Sequence, residues 1–152
     1  MQLNPMGQTA SPLSIRTRCQ LALRLVARAL PATQSYLLLF RFELIMRFRS
    51  SEALRWIVSN EPVRHSERLL PVTSGELCHA MDLACVFYLK RVLCLQRSAA
   101  TVVLLRRHGW NAEMVTGVQI LPFEAHAWVE IANDVVNDKP YMHEIYQVLE
   151  RY

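Results

Sequence analysis

Residues 94–130 read CLQRSAATVVLLRRHGWNAEMVTGVQILPFEAHAWVE, and the period of the hydrophobic pattern changes inside this stretch. Up to Arg107 the apolar residues follow a helical spacing, and Gly109 is suited to end that helix because glycine tolerates a positive φ. After Gly109 the pattern alternates, first in NAEMVTGVQI and then in EAHAWVEIA. A period of two is typical of strands that bury one face. The stretch therefore predicts a helix followed by an antiparallel hairpin.

The rest of the chain predicts helices before this stretch and further strands after it. Thr73 and Glu76 fit a capping box that opens a helix, with Lys90 and Arg91 expected in its last turn. Strand patterns return in VVND and EIYQVLERY. Three earlier helices are predicted: one over 14–30 that Pro31 ends, one over 33–48, and a short one with its N-cap at Ser50 or Ser51. Residues 1–12 are predicted to lack order. Helices followed by an antiparallel sheet make the predicted fold class α+β.

Charge divides the chain into two parts. Residues 1–70 hold ten Lys/Arg against four Asp/Glu, whereas residues 71–152 hold seven against nine. This predicts a basic helical segment over 1–70 and a second unit over 71–152. A basic segment can contact nucleic acid, an anionic membrane or an acidic partner. Because its arginines are spaced along apolar helices and form no run, no nucleic-acid partner is predicted.

The sequence shows neither a membrane span nor a clean export signal. Charged residues interrupt its most apolar window, SYLLLFRFELIMRF, which falls short of about 18 uninterrupted apolar residues. The four cysteines form no CxxC pair and no spacing typical of a zinc site. Free thiols in the cytoplasm are therefore the expectation. An organelle transit peptide is a minor alternative for the arginine-rich start.

Three residues combine into a candidate active site: Cys94 at a helix start, His126 on a strand and Asp138 beyond the following turn. A helix start stabilises a thiolate through its dipole and its unpaired amides. A histidine can share the thiol proton, and an aspartate can hold the imidazole in one tautomer. Each residue also has a plain structural interpretation, as a packing cysteine, a core or surface histidine and a turn aspartate. The order Cys, His, Asp favours the catalytic hypothesis.

The hairpin after His126 decides whether Asp138 can reach the histidine. A two-residue loop at 133–134 with regular pairing places Asp138 on the opposite face of the sheet from His126. A three-residue loop at 132–134 places both on one face as diagonal neighbours, about 7–8 Å apart. We therefore predict an odd-length turn or a bulge near Asn133.

These residues resemble the transglutaminase-like leader peptidases of lasso-peptide biosynthesis, the B proteins of those gene clusters. The resemblance covers about residues 73–150, and its motifs are Cys94-Leu95-Gln96-Arg97-Ser98, Arg106-Arg107-His108-Gly109, Gly117-Val118, Pro122-Phe123 and Ala125 to Glu130. Their combination is more specific than any one of them. The resemblance implies a transglutaminase-like or papain-like core with Cys94 as nucleophile, His126 as general base and acid, and Asp138 as the orienting residue.

The resemblance further implies that the protein removes the leader peptide from a ribosomally made lasso-peptide precursor. A separate ATP-dependent cyclase would then join the new N-terminal amine to an acidic side chain. Family members hold the leader with a small recognition domain, either fused ahead of the peptidase or supplied as a separate chain. Because residues 1–70 predict helices without the short strands of such a domain, the split arrangement is the expectation. The basic helices could dock a partner, or they could form an apolar layer with solvated arginines.

Arg97, Ser98 and Trp128 are further candidates for substrate binding. Trp128 could form a wall of the site, while Arg97 and Ser98 could position the helix start or an acidic substrate segment. Packing and a salt bridge are the alternatives for Trp128 and Arg97. No GxxxxGK[ST] loop occurs, and no cofactor or metal is predicted. Two other functions stay open: a catalytically inactive scaffold in a maturation complex, and a related acyl-transfer enzyme.

Overall fold

Helices pack on one antiparallel sheet in this protein. The computed structural model describes residues 15–64 and 72–152, with side chains from residue 30 onward, so the prediction for residues 1–12 lies outside the described residues. The helices are α1 (Ile15–Phe48), α2 (Ser51–Asn60), α3 (Ser74–Val86), α4 (Cys94–Arg107) and α5 (Met142–Ile145). The strands are β1 (Ala112–Gln119), β2 (Glu124–Ile131), β3 (Asp134–Val135) and β4 (Gln147–Arg151), in the sheet order β3-β2-β1-β4. The predicted α+β class is confirmed.

The larger hydrophobic core joins helices from both halves of the chain to the sheet. Leu39 and Phe42 of α1, Leu54 of α2, Leu104 of α4 and Met114 of β1 are all fully buried in it. Burial of a side chain of this size stabilises the fold by roughly 1.5–3 kcal/mol. The division of the chain into units at residue 70 stays a prediction, and this core extends across that point.

Helix α1 continues through Pro31, so the predicted helix end at this residue is wrong. Pro31 is buried, and the Ser35 hydroxyl donates to its carbonyl oxygen at 2.7 Å. The turns that follow bury Leu38, Leu39 and Phe42. Their burial outweighs the cost of about 3 kcal/mol for an interior proline. Although α1 has 34 residues, no helix in the described ranges is long and apolar enough to cross a bilayer.

The predicted helix starts are confirmed where the sequence carries a capping signal. Thr73 and Glu76 form the capping box of α3, and the Ser50 side chain caps α2. Helix α4 begins at Cys94. Gly109 follows the end of α4 with a φ of +91°, a conformation that side chains with a Cβ rarely adopt. Cys94 is thus the first residue of its helix.

Helix α3 ends at Val86, so the prediction that Lys90 and Arg91 lie in its last turn is wrong. The residues after Val86 are instead attached to α1. Tyr88 donates its hydroxyl hydrogen to a carboxylate oxygen of Glu43 at 2.5 Å, and Lys90 forms an ion pair with the same carboxylate. The residues between α3 and α4 are therefore held by α1, a tertiary contact that the hydrophobic periodicity of the sequence could not predict.

The sheet places His126 opposite Gly117. Strands β1 and β2 pair along their full length, and β4 pairs with the other edge of β1. The register on the β4 side shifts between Thr116 and Gly117. The last strand begins at Gln147 and is shorter than predicted, because Met142–Ile145 form α5.

The turn between β2 and β3 has two residues, so the predicted odd-length turn or bulge is wrong. Ile131 pairs with Asp134, which leaves Ala132 and Asn133 as the loop. These two residues have φ values of 51° and 76°. Two successive positive φ values are typical of the tight turn that matches the twist of a hairpin.

Regular pairing stops soon after this turn, which changes the direction of the following residues. The Val136 N–H still donates to the Val129 carbonyl at 2.9 Å. The Val129 N–H, however, donates to the side-chain Oδ1 of Asn137 at 2.7 Å. A side chain thus takes the place of the next backbone acceptor. Asp138 is therefore no longer paired with β2, so the strand register does not determine whether it lies on the same face of the sheet as His126.

Arg106 ties the end of α4 to three other segments. Its side chain is 8% exposed, and its guanidinium donates to the carbonyls of Ala112 at 2.7 Å, Val58 at 2.5 Å, Glu61 at 3.2 Å and Tyr152 at 3.0 Å. The planar guanidinium carries five donors in a fixed geometry, whereas an ammonium group carries three on one atom. Only arginine can serve these four acceptors together.

Replacement of Arg106 by lysine is expected to lower the free energy of unfolding by about 2–4 kcal/mol, because carbonyl groups lose their donors in a buried site. The matched control is Arg107→Lys, since the Arg107 side chain is 33% exposed and pairs with Glu61 at 2.8 Å. A surface pair of this kind contributes about 0–1 kcal/mol. Urea unfolding followed by circular dichroism measures both variants. Equal losses for the two would contradict the role given to Arg106.

Candidate active site

Cys94 is the first residue of α4 and lies partly buried where this helix meets β2. The N-cap residue, Leu93, makes no side-chain hydrogen bond to the helix start. The first-turn amides of α4 therefore have no cap side chain as an acceptor. The interaction with His126 lowers the pKa of the Cys94 thiol most, and backbone hydrogen bonds from Ala127 and Leu95 lower it further. The thiol thus lies where backbone donors favour its ionised form.

The structure brings His126 and Asp138 into direct contact. His126 Nε2 lies 2.9 Å from Asp138 Oδ2, and both side chains are 21% exposed. Nε2 faces the carboxylate, and Cys94 and His126 line the same cleft. The Tyr146 ring stacks on the imidazole at a centroid distance of 5.3 Å. The three residues predicted as catalytic thus meet at one place.

These contacts shift the pKa values of the two proton-sharing groups in opposite directions. For Cys94 the hydrogen bond with His126 lowers the pKa and outweighs burial, which raises it. For His126 the hydrogen bond with Cys94 raises the pKa, burial lowers it, and the hydrogen bond with Asp138 raises it again, to about 9. These opposite shifts favour a thiolate and an imidazolium over a neutral thiol and a neutral ring.

The Asp138 carboxyl stays ionised next to this pair. Burial by itself raises its pKa, but hydrogen bonds from His126 and from the Lys139 N–H lower the pKa overall. The Lys139 N–H donates to Asp138 Oδ1 at 2.9 Å, which leaves Oδ2 for the imidazole. An ionised carboxylate on Nε2 stabilises the imidazolium and fixes its orientation.

Asn137 positions Asp138 and is a site residue that the motifs did not indicate. It is 7% exposed, and its Oδ1 accepts the Val129 N–H at 2.7 Å while its Nδ2 donates to Ser98 Oγ at 3.2 Å. Arg97 donates to its backbone carbonyl at 2.8 Å. The only sequence signal for Asn137 was its position directly before the candidate aspartate. Its hydrogen-bond partners lie on α4 and β2, so the local sequence could not show its role.

Arg97 and Ser98 hold the first turn of α4 against its neighbours. Arg97 forms an ion pair with Asp82 at 2.6 Å, and its side chain is 31% exposed. Ser98 is 1% exposed and donates its hydroxyl hydrogen to the Ala127 carbonyl at 2.8 Å. These contacts favour the first of the two predicted roles, positioning of the helix start. Contact of Arg97 or Ser98 with an acidic substrate segment stays a prediction.

Trp128 is fully buried on the same face of β2 as His126. Its indole ring lies 6.4 Å from the imidazole, with an angle of 18° between the planes. A Cβ at Gly117 would lie 2.8 Å from Trp128 Cη2, so the indole needs a glycine at this position of β1. The burial favours the packing alternative for Trp128 over a direct contact with substrate.

Cys94 and His126 line a cleft of about 490 Å³. The volume lies within the range of small ligand sites. Its other walls combine small, apolar and charged residues: Gly117, Ala125, Ala127, Leu95, Thr116, Val118, Leu149, Arg55 and Glu150. Within the described part of the chain, no three His, Cys, Asp or Glu side chains are grouped so that they could hold a metal ion.

A cysteine at a helix start, a strand histidine and an aspartate in contact with it form the arrangement of a nucleophile, a base and an orienting residue. A profile of the Transglutaminase-like superfamily matches residues 32–151, and the chain belongs to this family. The predicted transglutaminase-like fold is thereby confirmed. The match also includes the second half of α1, residues 32–48, and all of α2, which the motifs had not covered.

The chain is also similar to the Microcin J25-processing protein McjB of Escherichia coli. The two are 34% identical over 70 residues, which make up 45% of this chain and 34% of that protein. The similarity thus spans about a third of the length of that relative. No solved structure matches the chain. The predicted resemblance to peptide-processing proteins is supported, while the split arrangement stays a prediction.

Cys94 is expected to react with iodoacetamide at neutral pH faster than Cys78 and Cys85. The thiolate is the reactive form, and burial raises the pKa of both other thiols, to about 11 for Cys78. The rate at Cys94 should fall as the pH drops through its lowered pKa. The imidazolium should lose its proton as the pH rises through about 9. Timed alkylation with peptide mapping measures each thiol, and equal rates at the three would contradict a thiolate at Cys94.

Proposed function

We propose that this protein is a cysteine endopeptidase that removes the leader peptide from a ribosomally made lasso-peptide precursor. The observation that carries the proposal is the contact of His126 with Asp138, together with the cleft that Cys94 and His126 line. Membership of the transglutaminase-like superfamily and the similarity to a protein named for processing microcin J25 support it.

The first half of the reaction transfers the leader to Cys94. The thiolate attacks the carbonyl carbon of the peptide bond between leader and core, and the tetrahedral oxyanion is stabilised by backbone N–H groups at the start of α4. His126, as the imidazolium, donates its proton to the nitrogen of the leaving core peptide. The bond between carbonyl carbon and nitrogen breaks, the core leaves with a free amine, and the leader remains as a thioester on Cys94.

The second half releases the leader. Neutral His126 removes a proton from a water molecule, and the resulting hydroxide attacks the thioester carbonyl. The carbon–sulfur bond breaks, the leader leaves as a carboxylic acid, and Cys94 returns to the thiolate beside the imidazolium. Asp138 stays ionised throughout and keeps His126 Nε2 directed away from the cysteine.

We also propose that a separate recognition protein presents the leader and that an ATP-dependent cyclase takes over the core peptide. The free amine made in the first step is the group that a cyclase requires. The arginines of the first 70 residues offer cations for an acidic partner.

Replacement of Cys94 by alanine is expected to abolish precursor cleavage, with a rate loss of at least roughly a thousandfold, because no other group can form the thioester. The assay incubates the precursor and its recognition partner with the variant and follows the products by mass spectrometry. Cys85→Ala is the matched control, since it removes a partly buried thiol of α3. This control should cleave at the rate of the unaltered protein.

Two outcomes of the same assay would count against the proposal. Full cleavage by the Cys94→Ala variant would exclude the thioester mechanism and favour the scaffold alternative. Transfer of the acyl group to an added amine in preference to water would instead identify the acyl-transfer alternative.

A further inference from the structure

Glu130 is a carboxylate buried to 1% exposure on β2, four residues after His126. Three side chains surround it. The Trp128 Nε1–H donates to its Oε1 at 2.5 Å, Arg151 pairs with its Oε2 at 2.6 Å, and His143 Nε2 lies 2.9 Å from Oε1. We call these four residues the Glu130 cluster.

Stability alone does not explain a carboxylate at this position. Removal of a carboxylate from water is costly, and buried ion pairs can often be replaced by apolar residues of similar volume without loss of stability. What a carboxylate adds is direction, because a charge-assisted hydrogen bond fixes the angle of its donor. The donor here is the indole of Trp128, so the cluster fixes how that ring is rotated in the core.

The orientation of Trp128 bears directly on the imidazole of His126. The two rings lie nearly parallel, 18° apart, and the Tyr146 ring stacks on the imidazole as well. The indole also comes so close to Gly117 that a Cβ there would be 2.8 Å away from Trp128 Cη2. A rotation of the indole would therefore displace the ring that supports His126.

We propose that Glu130 is a positioning residue that acts through Trp128. By holding the indole, it keeps the plane of the His126 ring aligned so that Nε2 meets Asp138 in the cleft that His126 shares with Cys94. The inference rests on the proposed function, because it requires Cys94 and His126 to work as a pair. It assigns a role in that pair to a residue that touches neither of its members.

The test is the pH dependence of the iodoacetamide reaction at Cys94 in the full chain, measured by peptide mapping. Glu130→Gln keeps an oxygen acceptor and removes the charge, and we expect about a tenfold lower rate near neutral pH, which corresponds to one unit of pKa. The matched control is Glu113→Gln, because Glu113 also pairs with Arg151, at 3.5 Å, but its side chain is 49% exposed. This control should leave the pH profile unchanged.

A second pair of variants separates positioning from general loss of stability. Trp128→Phe keeps an aromatic ring beside His126 and removes the indole N–H donor together with part of the ring volume, so it should shift the pH profile as Glu130→Gln does. In the Trp128→Phe background the Glu130→Gln change should then have no further effect on the rate at Cys94. Independent, additive effects of the two changes would overturn the proposal.

The remaining outcomes distinguish this inference from the proposed function. If Cys94 of the unaltered protein reacts no faster than Cys78 and Cys85, the proposed function fails. If Cys94 is selectively reactive and Glu130→Gln leaves its profile unchanged, the positioning role fails. Circular dichroism checks that each variant is folded. Should Glu130→Gln not fold, an unchanged profile in Trp128→Phe overturns the inference by itself.

Discussion

The hydrogen bond from Ser98 to the Ala127 carbonyl joins the first turn of α4 to β2, and the geometry of the candidate site depends on it. Cys94 lies about one helical turn before Ser98, and His126 directly precedes Ala127. Apolar packing is non-directional and would tolerate a helix displaced along the strand, whereas a buried hydroxyl bonded to one carbonyl does not. Since Ser98 also accepts a hydrogen bond from Asn137, the same hydroxyl locates the segment that follows β3.

Helix α4 serves different purposes at its two ends. Its start carries the thiol and backbone donors without a side-chain cap, an arrangement suited to negative charge. Its end carries Arg106, whose guanidinium holds four backbone carbonyls from other segments. Between them, small residues such as Ala99, Ala100 and Val103 are fully buried. Anchoring of the fold and the proposed chemistry are thus separated along one element, so that a change at Cys94 leaves the anchored end intact.

Local signals in the sequence predicted the parts of the fold that local interactions determine. The capping box at Thr73, the start of α4 and the alternation of β1 and β2 are of this kind. The order of Cys94, His126 and Asp138 likewise predicted residues that lie together. Tertiary contacts decided the rest: buried residues carry α1 past Pro31, and the Asn137 side chain ends a strand pairing that would otherwise place Asp138 by its register. The odd-length turn was predicted wrongly because the pairing of β2 with the next strand was assumed to continue as far as Asp138.

Gly117 restricts how the cleft could be redesigned. A side chain there would meet the Trp128 ring and the Gln147 carbonyl oxygen, which would lie 2.9 Å from its Cβ. Thr116, Val118 and Leu149 line the same cleft with partly or largely exposed side chains. A combinatorial library intended to reshape the cleft would therefore vary these three positions and keep glycine at 117.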